Sequence, residues 1–386
     1  MNARGAARWR RGHPWIYRSD VVEVPDSGPG VVHVVTADGE PLGTALWSPA
    51  STIALRMLTA EVREIGPDFW AERLEAALAF RARHGLVPGQ DGETTAWRVV
   101  HGEADGLPSL IADLYGDILV VQLLSAGLEA RRAEVVAALA QRLAPAGILA
   151  RNDVPVRQHE GLPRRVEVLS GVVPDEIVVR EAGIRYAAAL TTGQKTGAFL
   201  DQRENRVRAG DLSRGVALDC FAYHGSFALH LARRAERVIA VDSSGAALAR
   251  AAANARLNGF DNIEVREANV FDFLREEERA GARYDTIILD PPAFAKRRDA
   301  VARALRGYKE INLRAMRLLA PGGYLCTFSC SYHIGPALFR EMLESAAADA
   351  GRPFRWVEWR GQAADHPAIV QIPETAYLKG AVLEAL

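Results

Sequence analysis

Between residues 216 and 329 short apolar runs alternate with stretches of helical periodicity, and nearly every run ends on a polar residue. Residues 216–220, 237–242, 263–267, 286–290 and 324–329 read as buried strands. Residues 227–234, 246–257 and 301–319 read as the helices between them. Strands and helices in alternation cannot close as a bundle or a sandwich; they predict a doubly wound, mostly parallel α/β sheet. Ligands of such sheets sit beyond the carboxyl ends of the strands, so the residues just after each strand are the ones to weigh.

At 386 residues the chain exceeds one ordinary core, and two or three domains are expected. No apolar run is long enough to span a bilayer. Arginines crowd residues 1–11 with no apolar stretch behind them, and the chain has three cysteines, Cys220, Cys326 and Cys330. A cytoplasmic protein with free thiols is expected, rather than a disulfide framework or a membrane protein. No cysteine or histidine spacing matches a metal site, so no metal is expected.

The first strand runs into Asp219, Cys220, Phe221, Ala222, Tyr223, His224 and Gly225. A dinucleotide loop would place G-x-G-x-x-G here, and it is absent. The residues present suit a methionyl cofactor instead. Asp219 can take an amino group, the Phe221–Tyr223 loop can supply backbone donors, and Gly225 permits close approach. Asp242, followed by Ser243, ends the second strand, where a carboxylate accepts ribose hydroxyls. Asn269 follows the third and can read an adenine edge. One acid at a strand end is more often a helix cap than a ligand group. Three polar ends in order across one sheet point to a cofactor site, and the series is similar to motifs I to III of the class I methyltransferases, which use S-adenosylmethionine.

The fourth strand ends Asp290, Pro291, Pro292, Ala293 and Phe294. The prolines fix the backbone so that Asp290 faces the cleft, toward cofactor and base alike. Pro292 and Phe294 are expected to hold a base, with Lys296 beyond them. This motif alone suits methylation of an exocyclic amine. Cys330, at the end of the next strand, changes the reading. C5 of a pyrimidine is a poor nucleophile until a thiolate adds to C6, and a cysteine at this place can make that attack. Cys330 and Asp290 are therefore the candidate catalytic pair. Cys326, inside the strand, reads as packing.

Net charge is −1, yet two basic stretches stand out. Arg4, Arg8, Arg10, Arg11 and Arg18 precede or flank the first acid, Asp20. Lys296, Arg297, Arg298, Arg303, Arg306, Lys309, Arg314 and Arg317 face only Asp299 and Glu310. Both are read as phosphate-binding patches. Residues 1–70 show short strands at 31–36, 45–47 and 52–57, which fit a small β-barrel. Residues 71–189 read as a mixed α+β region, with helices near 69–84 and 130–143. The transferase region is expected over 190–386.

Together, the start at Gly12, His13, Pro14, Trp15, the block over residues 192–206, Asp290-Pro291-Pro292, Phe328-Ser329-Cys330-Ser331 and Asp365-His366-Pro367 resemble the RlmI/RlmO family, the bacterial 23S ribosomal RNA cytosine-C5 methyltransferases. The resemblance implies a PUA-like RNA-binding domain, a central domain, a Rossmann-like catalytic domain and a homodimer. It also implies that Phe199, Gln202 and Arg203 help to close the cofactor site. Many RNA cytosine-C5 methyltransferases carry a second cysteine beside the motif IV proline, where this chain has Ala293, so another group must take the C5 proton. Uridine-C5 methylation, guanine or adenine amine methylation, and an inactive RNA-binding assembly factor stay open as alternatives.

Overall fold

A computed structural model describes residues 1–87, 92–295 and 297–386, and the chain divides into two units. The first holds Met1–Arg180, Ala188–Leu200 and Ala364–Ala376; the second holds Glu181–Ala187, Asp201–Ala363 and Tyr377–Leu386.

The first unit opens on a helix, Ala3–Arg10, capped by Asn2, whose Oδ1 accepts from Gly5 N at 2.9 Å. Four antiparallel strands follow: β1 (Trp15–Tyr17), β2 (Gly30–Val35), β3 (Pro41–Trp47) and β4 (Ile53–Thr59), in the order β1-β4-β3-β2. Trp9, Ile16, Leu42 and Trp47 bury between helix and sheet, and Trp9 Nε1 donates to Leu42 O at 2.7 Å. The arginine-rich start thus folds as an amphipathic helix with its apolar face on the sheet.

The helix expected over 69–84 runs Pro67–Ala82, with proline at its first position, where no donor is lost. It packs on a sheet ordered β5 (Ala96–His101), β6 (Leu110–Tyr115), β7 (Ile118–Leu123), β8 (Gly147–Asn152) and β9 (Arg165–Gly171). Only β7 and β8 are parallel, and the helix Arg132–Leu143 makes their crossover. Sequence periodicity did not announce β8, because every residue of it is buried and no alternation remains to be seen. The Asp365-His366-Pro367 motif anchors this unit: Asp365 accepts from Arg98 N, and its carbonyl accepts from Arg81, both at 2.8 Å. Beyond β9, β10 (Glu176–Glu181) and β11 (Ile184–Ala189) pair as a ribbon along which the chain passes between units.

The second unit is built on seven strands: β12 (Val216–Cys220), β13 (Arg237–Asp242), β14 (Ile263–Glu267), β15 (Tyr284–Leu289), β16 (Leu319–Ser329), β17 (Phe354–Arg360) and β18 (Lys379–Ala385). Their order is β14-β13-β12-β15-β16-β18-β17, and the first five are parallel. β18 inserts antiparallel between β16 and β17. The parallel core is the α/β sheet that the alternation predicts. The antiparallel edge breaks the alternation, since only a three-residue 3-10 turn, Pro373–Thr375, and no α-helix lies between β17 and β18. Apolar clusters cover both faces, with Leu218, Ile287 and Tyr308 on one and Ala217, Ile288 and Phe328 on the other.

A buried ion pair pins the helix Arg203–Leu212 in this unit. Both guanidinium arms of Arg206 reach Glu181 at 2.6 Å, and His230 Nε2 lies 3.1 Å from the same carboxylate. Burial alone would raise the Glu181 pKa, but Arg206 and His230 outweigh it and hold the carboxyl far below its ordinary range.

Candidate active site

The strand order places β12 between β13 and β15, so the sheet's winding reverses at β12 and a crevice opens beyond its end. Asp219, Asp242, Asp290 and Cys330 lie at the carboxyl ends of β12, β13, β15 and β16, four consecutive neighbours in that sheet.

The turn after β12 is strained. Phe221 and Tyr223 have φ of 65° and 51°, left-handed values that aromatic residues rarely adopt. Neighbouring strands hold them there: Ala222 N donates to Val241 O at 3.0 Å, and Tyr223 N to Asp242 Oδ2 at 2.9 Å. Gly225 follows with φ of 83°, and a Cβ on it would come 2.9 Å from Ala251 Cβ. The close approach that requires glycine here is therefore to a helix of the fold. His224 is buried beside the Tyr186 ring, and burial together with Arg206 pushes its pKa down to about 3, so it is neutral.

Asp219 is fully buried. Its Oδ2 accepts from Ala228 N at 2.9 Å, while Oδ1 has no hydrogen-bond partner among the described residues. Burial raises its pKa well above the ordinary carboxylate range, and the carboxylates of Asp290 and Asp242 raise it further. Three acids thus share one small region, and the deepest has an unsatisfied acceptor. A ligand with a positive charge and an amino donor would relieve both. Asp242 spends one lone pair of each oxygen on Tyr223 N and Ser244 N, both at 2.9 Å, so it is rigid. Ser243 is exposed beside it. Asn269 is also exposed, and its Oδ1 caps the helix Val270–Ala280 through Phe271 N, which leaves the amide NH₂ as the group able to contact a ligand.

Asp290 is steadied by a relay of amides that the sequence does not reveal. Gln202 Nε2 donates to Asp290 Oδ1 at 2.9 Å, Asn205 Nδ2 donates to Gln202 Oε1 at 2.6 Å, and Arg360 Nε donates to Asn205 Oδ1 at 3.0 Å. Gln202 therefore positions Asp290. Arg203, next to it, is buried and reaches Glu204 at 3.4 Å. Phe199 belongs to the first unit, where Lys195 Nζ stands 4.5 Å above its ring.

Beyond Asp290, Pro291 is buried and Pro292 exposed. Phe294 packs in an aromatic cluster, 4.6 Å from Tyr308 and 6.0 Å from Phe271 between centroids, so it buttresses the loop. Lys296 lies outside the described residues. Cys330 is partly exposed, whereas Cys220 and Cys326 are buried. Burial drives the Cys220 pKa well up and pushes Cys326 up to about 12, so neither forms a thiolate readily. The turn carrying Cys330 is tied to the one after Asp290: Ser331 Oγ accepts from Ala295 N at 3.2 Å and lies 3.0 Å from the Tyr308 hydroxyl.

The two basic patches need correction. Glu278 and Asp349, distant in sequence, fold onto the second: Arg314 and Arg317 pair with Glu278, and Lys309 with Asp349. Arg314 also takes Glu310, and Arg297 takes Asp299. Among the described residues, Arg298, Arg303 and Arg306 are what remains exposed without an acid. At the N-terminus, Asp20 is buried against Arg4 and Arg8, and Arg10 meets Glu40. Linear charge counting overlooked Glu40, Glu278 and Asp349, which meet these arginines and this lysine only in the folded chain.

Comparison with known proteins agrees with this geometry. Residues 97–381 match the family model described as S-adenosylmethionine-dependent methyltransferase, and residues 1–60 match a PUA-like domain. The ribosomal RNA large subunit methyltransferase I of Shewanella amazonensis is 42% identical over 96% of this chain and 95% of its own length. Its namesake from Vibrio cholerae is 41% identical over 98% and 96%. A Streptococcus mutans chain assigned as a SAM-dependent methyltransferase shares the fold, with a TM-score of 0.82 at 21% identity over 99% of this chain and 98% of that one. Asp219's unsatisfied acceptor and the surrounding carboxylates suit the amino group and positive charge of S-adenosylmethionine, and the chain belongs to the S-adenosylmethionine-dependent methyltransferase family.

Proposed function

We propose that this enzyme methylates C5 of a cytosine in 23S ribosomal RNA through a covalent adduct on Cys330. The observation that carries the reading is the partly exposed thiol at the end of β16, one strand from Asp290, in a site whose other cysteines are buried. Ribosomal RNA as substrate is supported by the relatives' printed names and by the PUA-like match.

In this reading Asp219 holds the cofactor's amino group, Asp242 with Ser243 its ribose, and Asn269 its adenine. Phe221, Tyr223 and Gly225 form the turn against it, with Asp290, Gln202 and Arg203 closing the site. Bound S-adenosylmethionine supplies an electrophilic methyl group on a sulfonium. The Cys330 thiolate attacks C6 of the base, forming an S–C6 bond and displacing the C5–C6 π electrons toward C5, which becomes nucleophilic. Asp290, held by Gln202, stabilises charge at N3. Once C5 is methylated, a base removes its proton, the electron pair reforms the double bond, and the thiolate leaves. Ala293 stands where a second cysteine would assist release, so that base is not a cysteine at this position. Pro292 and Phe294 are assigned to the base pocket, with Phe294 as buttress.

A homodimer working in the cytoplasm, with domains near 1–70, 71–189 and 190–386, completes the proposal. No helix among the described residues is long and apolar enough to cross a membrane. The test is incubation with labelled methyl donor and unmodified large-subunit RNA, then nucleoside analysis. Label in 5-methylcytidine is expected. Label in 5-methyluridine would replace the base, and label on a purine amine would overturn the covalent mechanism.

A further inference from the structure

The mechanism needs Cys330 as a thiolate, yet a free thiol near neutral pH is mostly protonated. The chain has four lysines, Lys195, Lys296, Lys309 and Lys379. Lys379 is 4% exposed and begins β18, directly across from Ser329, the last residue of β16. Its Nζ donates to Ser331 O at 2.8 Å and to Tyr377 O at 2.9 Å. The amine therefore holds the residue after the cysteine and lies across from the residue before it.

That geometry leaves the nitrogen one position to spare. A neutral amine has two N–H bonds, matched here by two carbonyls, plus a lone pair. An ammonium has three N–H bonds and directs its third where the lone pair had been. Cys330 is close enough to act on Lys379 electrostatically, and among the described residues it is the charge that does so. The other titratable groups at this turn are Tyr332 and His333, whose rings meet edge to face on the turn itself, Tyr308, at Ser331 Oγ, and Tyr377, whose hydroxyl donates to Asp201. Burial lowers the Lys379 pKa to about 8, against a smaller opposing effect of Cys330.

We propose that Lys379 is the positioning residue that generates and holds the Cys330 thiolate. The S–H bond breaks, its electron pair stays on Sγ, and the proton becomes the third N–H of Lys379. When the thiolate leaves C6 it returns to the same ammonium, so the pair is ready for another cycle. The role of this thiolate in attack on C6 rests on the covalent reading above; its formation does not.

The test is the pH dependence of Cys330 alkylation by iodoacetamide, followed by peptide mass spectrometry on the full chain without RNA or cofactor. Lys379→Met should raise the midpoint by about one pH unit and slow alkylation at pH 7 roughly tenfold. Lys379→Arg, which keeps a positive charge, should hold the midpoint low. In turnover, Lys379→Met should lower kcat with KM for RNA unchanged. Since Met leaves two carbonyls without a donor and can unfold the turn, a reciprocal measurement is made on Cys330→Ser. Proton linkage is mutual, so removing the thiolate should lower the Lys379 midpoint seen by NMR of ε-13C-lysine. An unmoved alkylation midpoint in folded Lys379→Met, or an unmoved lysine midpoint in Cys330→Ser, overturns the pairing. Methyl transfer by Cys330→Ala would instead overturn the covalent reading and leave those midpoints to decide the pairing separately.

Discussion

Asp219→Asn separates cofactor binding from folding. The side chain is fully buried, with Oδ2 bonded to Ala228 N and Oδ1 unsatisfied. Asparagine matches its shape and keeps an acceptor for Ala228 N. It places an NH₂ where Oδ1 stood, so a donor replaces the acceptor facing the cofactor's amino group. A hydrogen bond to a charged group is worth about 1.5–3 kcal/mol, which predicts about 10- to 150-fold weaker binding of S-adenosylmethionine. The stability effect has the opposite sense. Burial raises the folded pKa of Asp219 above its unfolded value, so its proton stabilises the fold at low pH. That contribution is lost as pH rises from the unfolded pKa through the folded one, and above it the ligand-free protein carries an unfavourable buried charge. The variant removes that charge and should melt no lower than the wild type at pH 7. A second signature follows. A cationic ligand favours the carboxylate, so binding to the wild type should release protons, and the calorimetric enthalpy should vary with the buffer's ionisation enthalpy. In Asp219→Asn that dependence should shrink. Equal affinity in the two proteins would refute the assignment of Oδ1 to the amino group.

Other perturbations act elsewhere in the second unit. Glu181→Gln leaves the buried Arg206 without its counter-charge and should cost about 3–5 kcal/mol in denaturant unfolding. In the wild type the depressed Glu181 pKa gives stability present above the unfolded carboxyl pKa and lost as pH falls through the folded one, so this loss should fade in acid. Gln202→Ala removes the amide hydrogen bond to Asp290 Oδ1, and turnover should fall by roughly tenfold or more while the cofactor Kd changes less, measured by single-turnover kinetics and calorimetry. Replacing Arg303 and Arg306 by Ala should flatten the salt dependence of RNA binding by about 0.7 for each phosphate no longer neutralised, whereas replacing Arg314, which two glutamates hold, should not.

Strand ends were legible in the sequence because a parallel sheet repeats one pattern: an apolar run, then a polar residue at the crevice. That logic located Asp219, Asp242, Asp290 and Cys330. It failed where partners come from far away in the chain. Lys379 meets Ser331 across 48 residues through antiparallel β18, which no α-helix separates from β17 to mark it as a strand of this sheet. Gln202 reaches Asp290 across 88 residues, and its own segment reads only as a glycine-broken loop entering a charged helix. The basic patches misled for the same reason, since the acids that neutralise Arg314 and Lys309 are neighbours only in space. At Gly225 the residue type was noticed, but the contact that demands it, with Ala251, depends on helix packing.

The covalent adduct itself is the most direct target for measurement. Large-subunit RNA carrying 5-fluorocytosine is incubated with enzyme and S-adenosylmethionine, then denatured and resolved by electrophoresis. Fluorine at C5 cannot leave as a proton, so the S–C6 bond is trapped after methylation. The wild type and Cys326→Ala should give a protein–RNA band that survives denaturation, with Cys330 identified as the attached residue, and Cys330→Ala should give none. A Cys330→Ala enzyme that still methylates RNA, or a wild type that turns over with no trapped band, would contradict C5 chemistry through Cys330 and leave amine methylation around Asp290 as the reading.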